Sequence, residues 1–179
     1  GAVYLYLKAQ GIDPADVKLN NISQKDLVEA LIVGSIDALA ASEPTPMLTL
    51  EKASGSRELA SLSGLGNDYP LLMVASRAYV DAHPEAIQAI VNGTAKAVDF
   101  INADPVAAGV ETAAVTGAPA DLETRMFQKM EWRLRLDEQT LKSLGITAEF
   151  LHSMGKLKKV PDLKAHSRPE FVQKAISKP

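Results

Sequence analysis

The sequence predicts an α/β protein. Three observations carry that expectation. Short apolar runs alternate with helical patterns through the first third of the chain. The run at 36–41, with Ile36, Ala38, Leu39 and Ala40, is apolar on both faces, as a buried parallel strand is. The last hundred residues carry helical spacing almost throughout.

Taken in order, residues 3–10 read as a helix stopped by Gly11, and Asp13-Pro14-Ala15-Asp16 as a turn. Residues 17–21 make a short strand. Ser23, with Asp26 three residues on, resembles a capping box that opens a helix through Leu27, Ala30 and Leu31 to Gly34. The strand at 36–41 is broken by Pro44 and Pro46, which open a turn or helix over Met47–Ala53. Strands follow at 57–62 and 70–76, joined by the loop 63–68. His83-Pro84 separates a helical turn from a long helix, 85–102, whose buried stripe is Ile87, Ile90, Val91, Val98 and Ile101. Asp104-Pro105 starts a helix to Gly117 and Ala118-Pro119-Ala120-Asp121 another to about Met130. Trp132–Leu136 is extended. Asp137 caps a helix that Gly155 closes, and Arg168-Pro169-Glu170 begins the last. Four strands make a thin sheet, and the opening helix looks as if its preceding strand were missing. The expectation is therefore a piece of a larger fold.

Composition narrows function. In 179 residues there are 19 Lys and Arg against 22 Asp and Glu, a net charge of −3. A mildly acidic surface has no broad attraction for nucleic acid or anionic membrane. Only 5% of residues are aromatic, too few for a base-stacking platform. With no cysteine, thiolate metal sites, thiol nucleophiles and disulfides are excluded, a composition that fits an oxidising compartment. No apolar run approaches the roughly 20 residues of a membrane helix. The chain lacks an initiator Met, so it is not read as a full precursor.

Enzyme signatures are absent. His83, His152 and His166 do not pair at metal-ligand spacing. There is no Gly-x-Ser-x-Gly elbow and no Walker loop, and Gly64-Leu65-Gly66 lacks the third glycine of a dinucleotide loop. Lys156, Lys158 and Lys159 read as a solvated face. Two places remain. Gly1-Ala2-Val3-Tyr4 begins a helix, where main-chain N–H groups and the dipole suit an anion; a plain chain terminus is the competing reading. Ser42 and Glu43 stand at the carboxyl end of an apolar strand, where ligands sit in open parallel sheets; a solvated turn is the alternative.

These residues form a pattern. Gly1-Ala2-Val3-Tyr4-Leu5-Tyr6-Leu7, followed by Gly11-Ile12-Asp13-Pro14-Ala15-Asp16-Val17, resembles G-[ST]-x-x-x-x-L-L…A-G-L-x-P-x-D-V. The stretch Asp26–Ala38 is similar to D-x-x-x-A-L-x-x-G-x-I-D-A, Ser42-Glu43-Pro44 to W-E-P, and Tyr79–Glu85 to F-x-x-x-H-P-E. Trp132–Leu136, Phe150–Leu157 and Val160–Leu163 are similar to C-terminal segments of the same family. That family is the periplasmic solute-binding proteins of ABC importers in the nitrate, sulfonate, taurine and bicarbonate group, with thiamine-precursor binders as relatives.

The resemblance implies a periplasmic-binding-protein-like type II fold of two α/β lobes, incomplete at its N-terminus. Residues 1–64 would be most of lobe two, and residues 65–179 the return crossing and the C-terminal part of lobe one. It implies that Gly1, Ala2, Val3 and Tyr4 offer helix amides to an anionic head, that Ser42, Glu43 and Pro44 lie at the cleft lip, and that Asn67 and Tyr69 reach the ligand from the crossing. Ser42 stands where the family pattern has Trp, which removes a stacking wall and points to a smaller or differently shaped solute. No catalytic residue, metal or cofactor is implied. The partners are a small anionic or zwitterionic solute (a sulfonate, taurine, nitrate or similar) and the importer's membrane permease. The location is periplasmic or extracellular, with a lipid anchor as one form of attachment. Apolar Tyr4, Leu5 and Leu7 would be left uncovered, so a companion chain or oligomer is expected. Two alternatives stay open: a biosynthetic enzyme on the same fold, of the thiamine-pyrimidine or menaquinone pathway type, and a ligand-sensing module of a regulator.

Overall fold

Pro, Asp and Gly punctuate this chain, and most of the helices begin or end beside them. The computed structural model describes residues 1–61 and 66–177. The described residues form nine α-helices: α1 (Ala2–Ala9), α2 (Leu27–Ile32), α3 (Thr45–Lys52), α4 (Arg77–Ala82), α5 (Pro84–Ala103), α6 (Pro105–Thr116), α7 (Ala120–Lys129), α8 (Glu138–Ser153) and α9 (Pro169–Ile176). Short 3-10 turns lie at Pro14–Asp16 and Gln24–Asp26. The chain divides into two compact units, Gly1–Asn67 and Asp68–Pro179.

In the first unit, α1 stops because Gly11 turns left-handed at φ 69°, a conformation that costs glycine little. The chain then doubles back. Ile12 N–H donates to Leu7 O at 2.9 Å, and the Pro14–Asp16 turn packs on α1. Asp13 Oδ1 accepts from Ala15 N–H at 2.9 Å and fixes that turn. Leu7, expected to lie uncovered, is thereby buried. The capping box does not form: Ser23 makes no side-chain bond to the turn it opens. Gln24 takes up the bonding instead. Its Nε2 donates to Thr45 Oγ1 at 3.0 Å and to Ser42 O at 3.2 Å, tying the start of α2 to the start of α3. Met47 and Ala53 are buried there, beside buried Thr45 and Thr49, whose hydroxyl donates to Thr45 O at 2.8 Å.

The second unit is built on α5. Pro84 opens it, since the first helical N–H needs no partner. Val80 of α4, Ile87 and Val91 of α5 and Phe171 of α9 make its core, with Leu134, Val172 and Ala175 against them. The predicted stripe is rotated: Ile90 is 51% exposed, while Gln88 is buried. Gln88 can be buried because both its amide hydrogens are used, on Asn92 Oδ1 at 2.9 Å and Phe171 O at 3.0 Å. At α6, Asp104 Oδ1 accepts from Val106 N–H (3.1 Å) and Ala107 N–H (2.9 Å), and Gly117 at φ 74° ends the helix. α6 and α7 lie very close where Gly109 faces Thr124. Trp132 stands edge-on to Phe127 of α7 with ring centres 5.1 Å apart, its Nε1–H donating to Phe127 O at 3.1 Å.

Asp137 caps α8, accepting from both the amide (2.9 Å) and the hydroxyl (3.0 Å) of Thr140. These bonds favour the carboxylate and hold its pKa below the ordinary 3.8. A carboxyl whose folded pKa is depressed adds stability above its unfolded pKa, and that stability is lost as pH falls through the folded value. Acidification from pH 6 to pH 3 should therefore lower the melting temperature of the native chain more than that of Asp137→Asn, which keeps an acceptor without a proton to gain. Circular dichroism melts at the two pH values check it. Equal shifts would remove the cap from the acid response.

The strand expectation is corrected. Among the described residues, none of 17–21, 36–41, 57–61 or 70–76 pairs as a β-strand; residue 62 of the third lies outside the described residues, as do residues 63–65 of the predicted loop. The β-type composition is present, but a strand exists only where a neighbour supplies the hydrogen-bond ladder. Leu71 and Val74 are each 84% exposed, with Leu72 and Met73 about half exposed between them, so water reaches both sides of this segment.

Candidate functional site

The candidate residues occupy three places. Gly1 to Tyr4 form the first turn of α1. The helix's first main-chain bond runs from Leu5 N–H to Gly1 O at 3.1 Å, so the amides of Ala2, Val3 and Tyr4 precede the ladder and point along the axis. That is the arrangement that suits an anion.

Ser42, Glu43 and Pro44 form the turn into α3. Ser42 is exposed, while its carbonyl accepts from Gln24 Nε2 and from Thr45 N–H. Glu43 Oε2 accepts from Met47 N–H at 3.2 Å, so a carboxylate already occupies the amino end of α3. An anion is disfavoured here by charge. A cationic or amine donor is favoured, with Glu43 as acceptor and the exposed Ser42 hydroxyl beside it in sequence.

Asn67 closes the first unit and is 1% exposed. Tyr69 lies at the start of the second, with φ 47°, a left-handed backbone unusual for an aromatic residue. Its hydroxyl is buried, and loss of water around the phenolate pushes its pKa above 10. Between the two stands Asp68, held by α8 and the segment before it. Its N–H donates to Ser143 Oγ at 3.1 Å; its Oδ2 pairs with the Arg135 guanidinium and accepts from Gln139 Nε2 at 3.3 Å.

Sequence reasoning missed Gln24, Thr45, Asp68, Arg135, Gln139 and Ser143. Gln24 and Thr45 are 21 residues apart and Asp68 and Arg135 are 67 apart, and no local spacing signals such pairs. The second unit also carries an open groove of about 550 Å³ between α5, residues 130–134 and the end of α9, lined by Asp99, Asn102, Trp132 and Arg133 among others. None of the candidate residues lines it. Among the described residues, no group of three or more His, Asp or Glu is placed to hold a metal ion, and no helix is long and apolar enough to cross a membrane.

No curated protein and no solved structure matches the chain. A family profile does. It spans residues 2–116, which include Ala2 to Tyr4, Ser42 to Pro44, Asn67 and Tyr69. Members of that family are generally the substrate-binding proteins of ABC transporters, and some bind a thiamine precursor. The match takes in well over half of the sequence, and on that ground the chain belongs to the NMT1-like family.

Proposed function

We propose that this protein captures a small anionic or zwitterionic solute, of the sulfonate, taurine or nitrate kind, and delivers it to the membrane permease of an ABC importer. Family membership over residues 2–116 carries the reading. The chemistry of the candidate residues supports it. The amides at the start of α1 suit a sulfonate, carboxylate or nitrate. Glu43 suits an ammonium group, and a solute with both charges would use both. Ser42, in place of an aromatic wall, favours a compact solute over a ring.

On this reading the protein makes and breaks no bond, and no cofactor is used. It works in the periplasm or outside the cell, where a chain without cysteine has no thiol to oxidise. The resemblance also names Asn67 and Tyr69, but Asn67 is 1% exposed and the Tyr69 hydroxyl is buried, so a ligand contact from either needs the 67–69 backbone to present it.

Isothermal titration calorimetry of the chain against taurine, an alkanesulfonate, nitrate and a 4-aminopyrimidine tests the proposal. At least one of the first three is expected to bind at micromolar Kd, and Glu43→Gln should weaken taurine more than nitrate. Binding of the aminopyrimidine alone would replace the anion by a thiamine-type solute. Binding of none would overturn the proposal.

A further inference from the structure

The candidate residues Asn67 and Tyr69 flank a residue that is fastened much more firmly than its exposure suggests. Asp68 is 37% exposed at its side chain, yet it makes three separate contacts with one structural block. Ser143, which accepts its main-chain N–H, is fully buried at 0% exposure in the middle of α8. Arg135, at 27% exposure, sits two residues before the α8 cap and pairs with the carboxylate. Gln139, in the first turn of α8, adds an amide to the same oxygen.

The block itself is rigid for reasons already given. Asp137 fixes the first turn of α8 through Thr140, which is 2% exposed, and Thr147 Oγ1 donates to Ser143 O one turn further on at 3.2 Å. A main-chain bond and a side-chain ion pair on one residue fix both its position and its orientation. The next residue is Tyr69, with φ 47°. A bulky L residue leaves that region readily unless its neighbours hold it there. An ion pair this exposed adds little to global stability, so its effect is local placement.

We infer that Arg135, Ser143 and Gln139 are positioning residues: by holding Asp68 they set the backbone of Tyr69 and so the pose in which the 67–69 segment meets its ligand. The inference rests on the solute-binding reading for the ligand and on the bonds to Asp68 for the mechanism. All three residues lie beyond the stretch matched by the family profile. They belong to the second unit, as do Asp68 and Tyr69.

Hydrogen exchange followed by mass spectrometry on the full chain, native and with Arg135→Gln, Arg135→Lys or Ser143→Ala, separates local placement from general stability. Exchange at 67–69 is expected to speed up about tenfold in Arg135→Gln and in Ser143→Ala, with α5 and α9 unchanged, and Arg135→Lys should recover part of the protection. Unchanged exchange at 67–69, or a rise spread evenly over the unit, would overturn the inference. Calorimetry with taurine and nitrate then tests the consequence. Arg135→Gln should weaken whichever binds by at least about fivefold, and combining it with Tyr69→Phe should cost less than the product of the two single effects. Local loosening with affinity unchanged would also overturn it. If the native chain binds neither probe, the solute-binding reading fails separately, and the exchange result still decides whether α8 holds the segment.

Discussion

Truncating Phe171 to alanine is expected to cost the second unit about 3–5 kcal/mol. The ring is 8% exposed and is the largest side chain in the core it shares with Val80, Ile87 and Val91. Three elements meet on it, so no single helix can slide in to fill the space. The Arg168 guanidinium lies 5.3 Å from the ring centre and loses that face as well. Arg168 also pairs with Asp81 of α4 and Glu170 of α9, so the same substitution loosens a polar tie at the rim. Urea titration followed by circular dichroism gives the number. Phe171→Leu should lose less than half as much. Phe100→Ala, at a ring that is 45% exposed, should lose still less. If Phe171→Ala were no worse than Phe100→Ala, the core of this unit would have to lie elsewhere.

The second large effect is a single added methyl group. At Gly109 a Cβ would press on Thr124 Oγ1, and would lie 2.9 Å from Thr124 N and 3.0 Å from Ala120 O. Two of the three obstacles are main chain of α7, so a rotamer change cannot clear them. Helix α7 must move away from α6, and the Thr116 hydroxyl must follow the buried Glu123 carboxylate to which it donates at 2.8 Å. Gly109→Ala should therefore destabilise by about 1–3 kcal/mol, although alanine is the better helix former. Gly93 supplies the control. It also lies inside a helix, but an added Cβ there meets nothing within 4 Å. Gly93→Ala should stabilise by up to about 1 kcal/mol. Opposite signs in the two urea titrations are the expected result, and equal signs would mean that α6 and α7 are not in contact at this point.

The pair also shows which parts of the fold were legible in the sequence. Helix boundaries were, because they rest on local chemistry: Gly11 and Gly117 stop helices, Pro84 and Pro105 start them, and Asp104 and Asp137 cap them, all within a few residues. The closeness of Gly109 to Thr124 was not, since a glycine in a helix reads as a weakness until its neighbour is known. The buried stripe of α5 was misplaced for a related reason. Hydropathy favours Ile90 over Gln88, and only the distant Phe171 carbonyl reverses the order.

Strands failed for a different physical cause. The runs at 36–41 and 70–76 have the apolar character of buried strands, but pairing depends on a second segment that local pattern cannot supply. For the candidate residues, only the local setting was legible. Gly1 to Tyr4 and Ser42 to Pro44 stand at helix starts that the sequence marks. The fastening of Asp68 by Arg135, Gln139 and Ser143 was hidden, because each of those residues reads as an ordinary polar position on or before a helix.

The segment from Leu71 to Ala75 has a consequence for the molecule in bulk solution. Its side chains are uncharged and, from Leu71 to Val74, open to solvent, and among the described residues its main chain has no ladder to join. Water is a poor solvent for such a ribbon, and an identical ribbon on another molecule is a better one. With neither a charge nor a proline between Leu71 and Ala75, the segment lacks the features by which exposed strand-like edges are ordinarily kept from pairing.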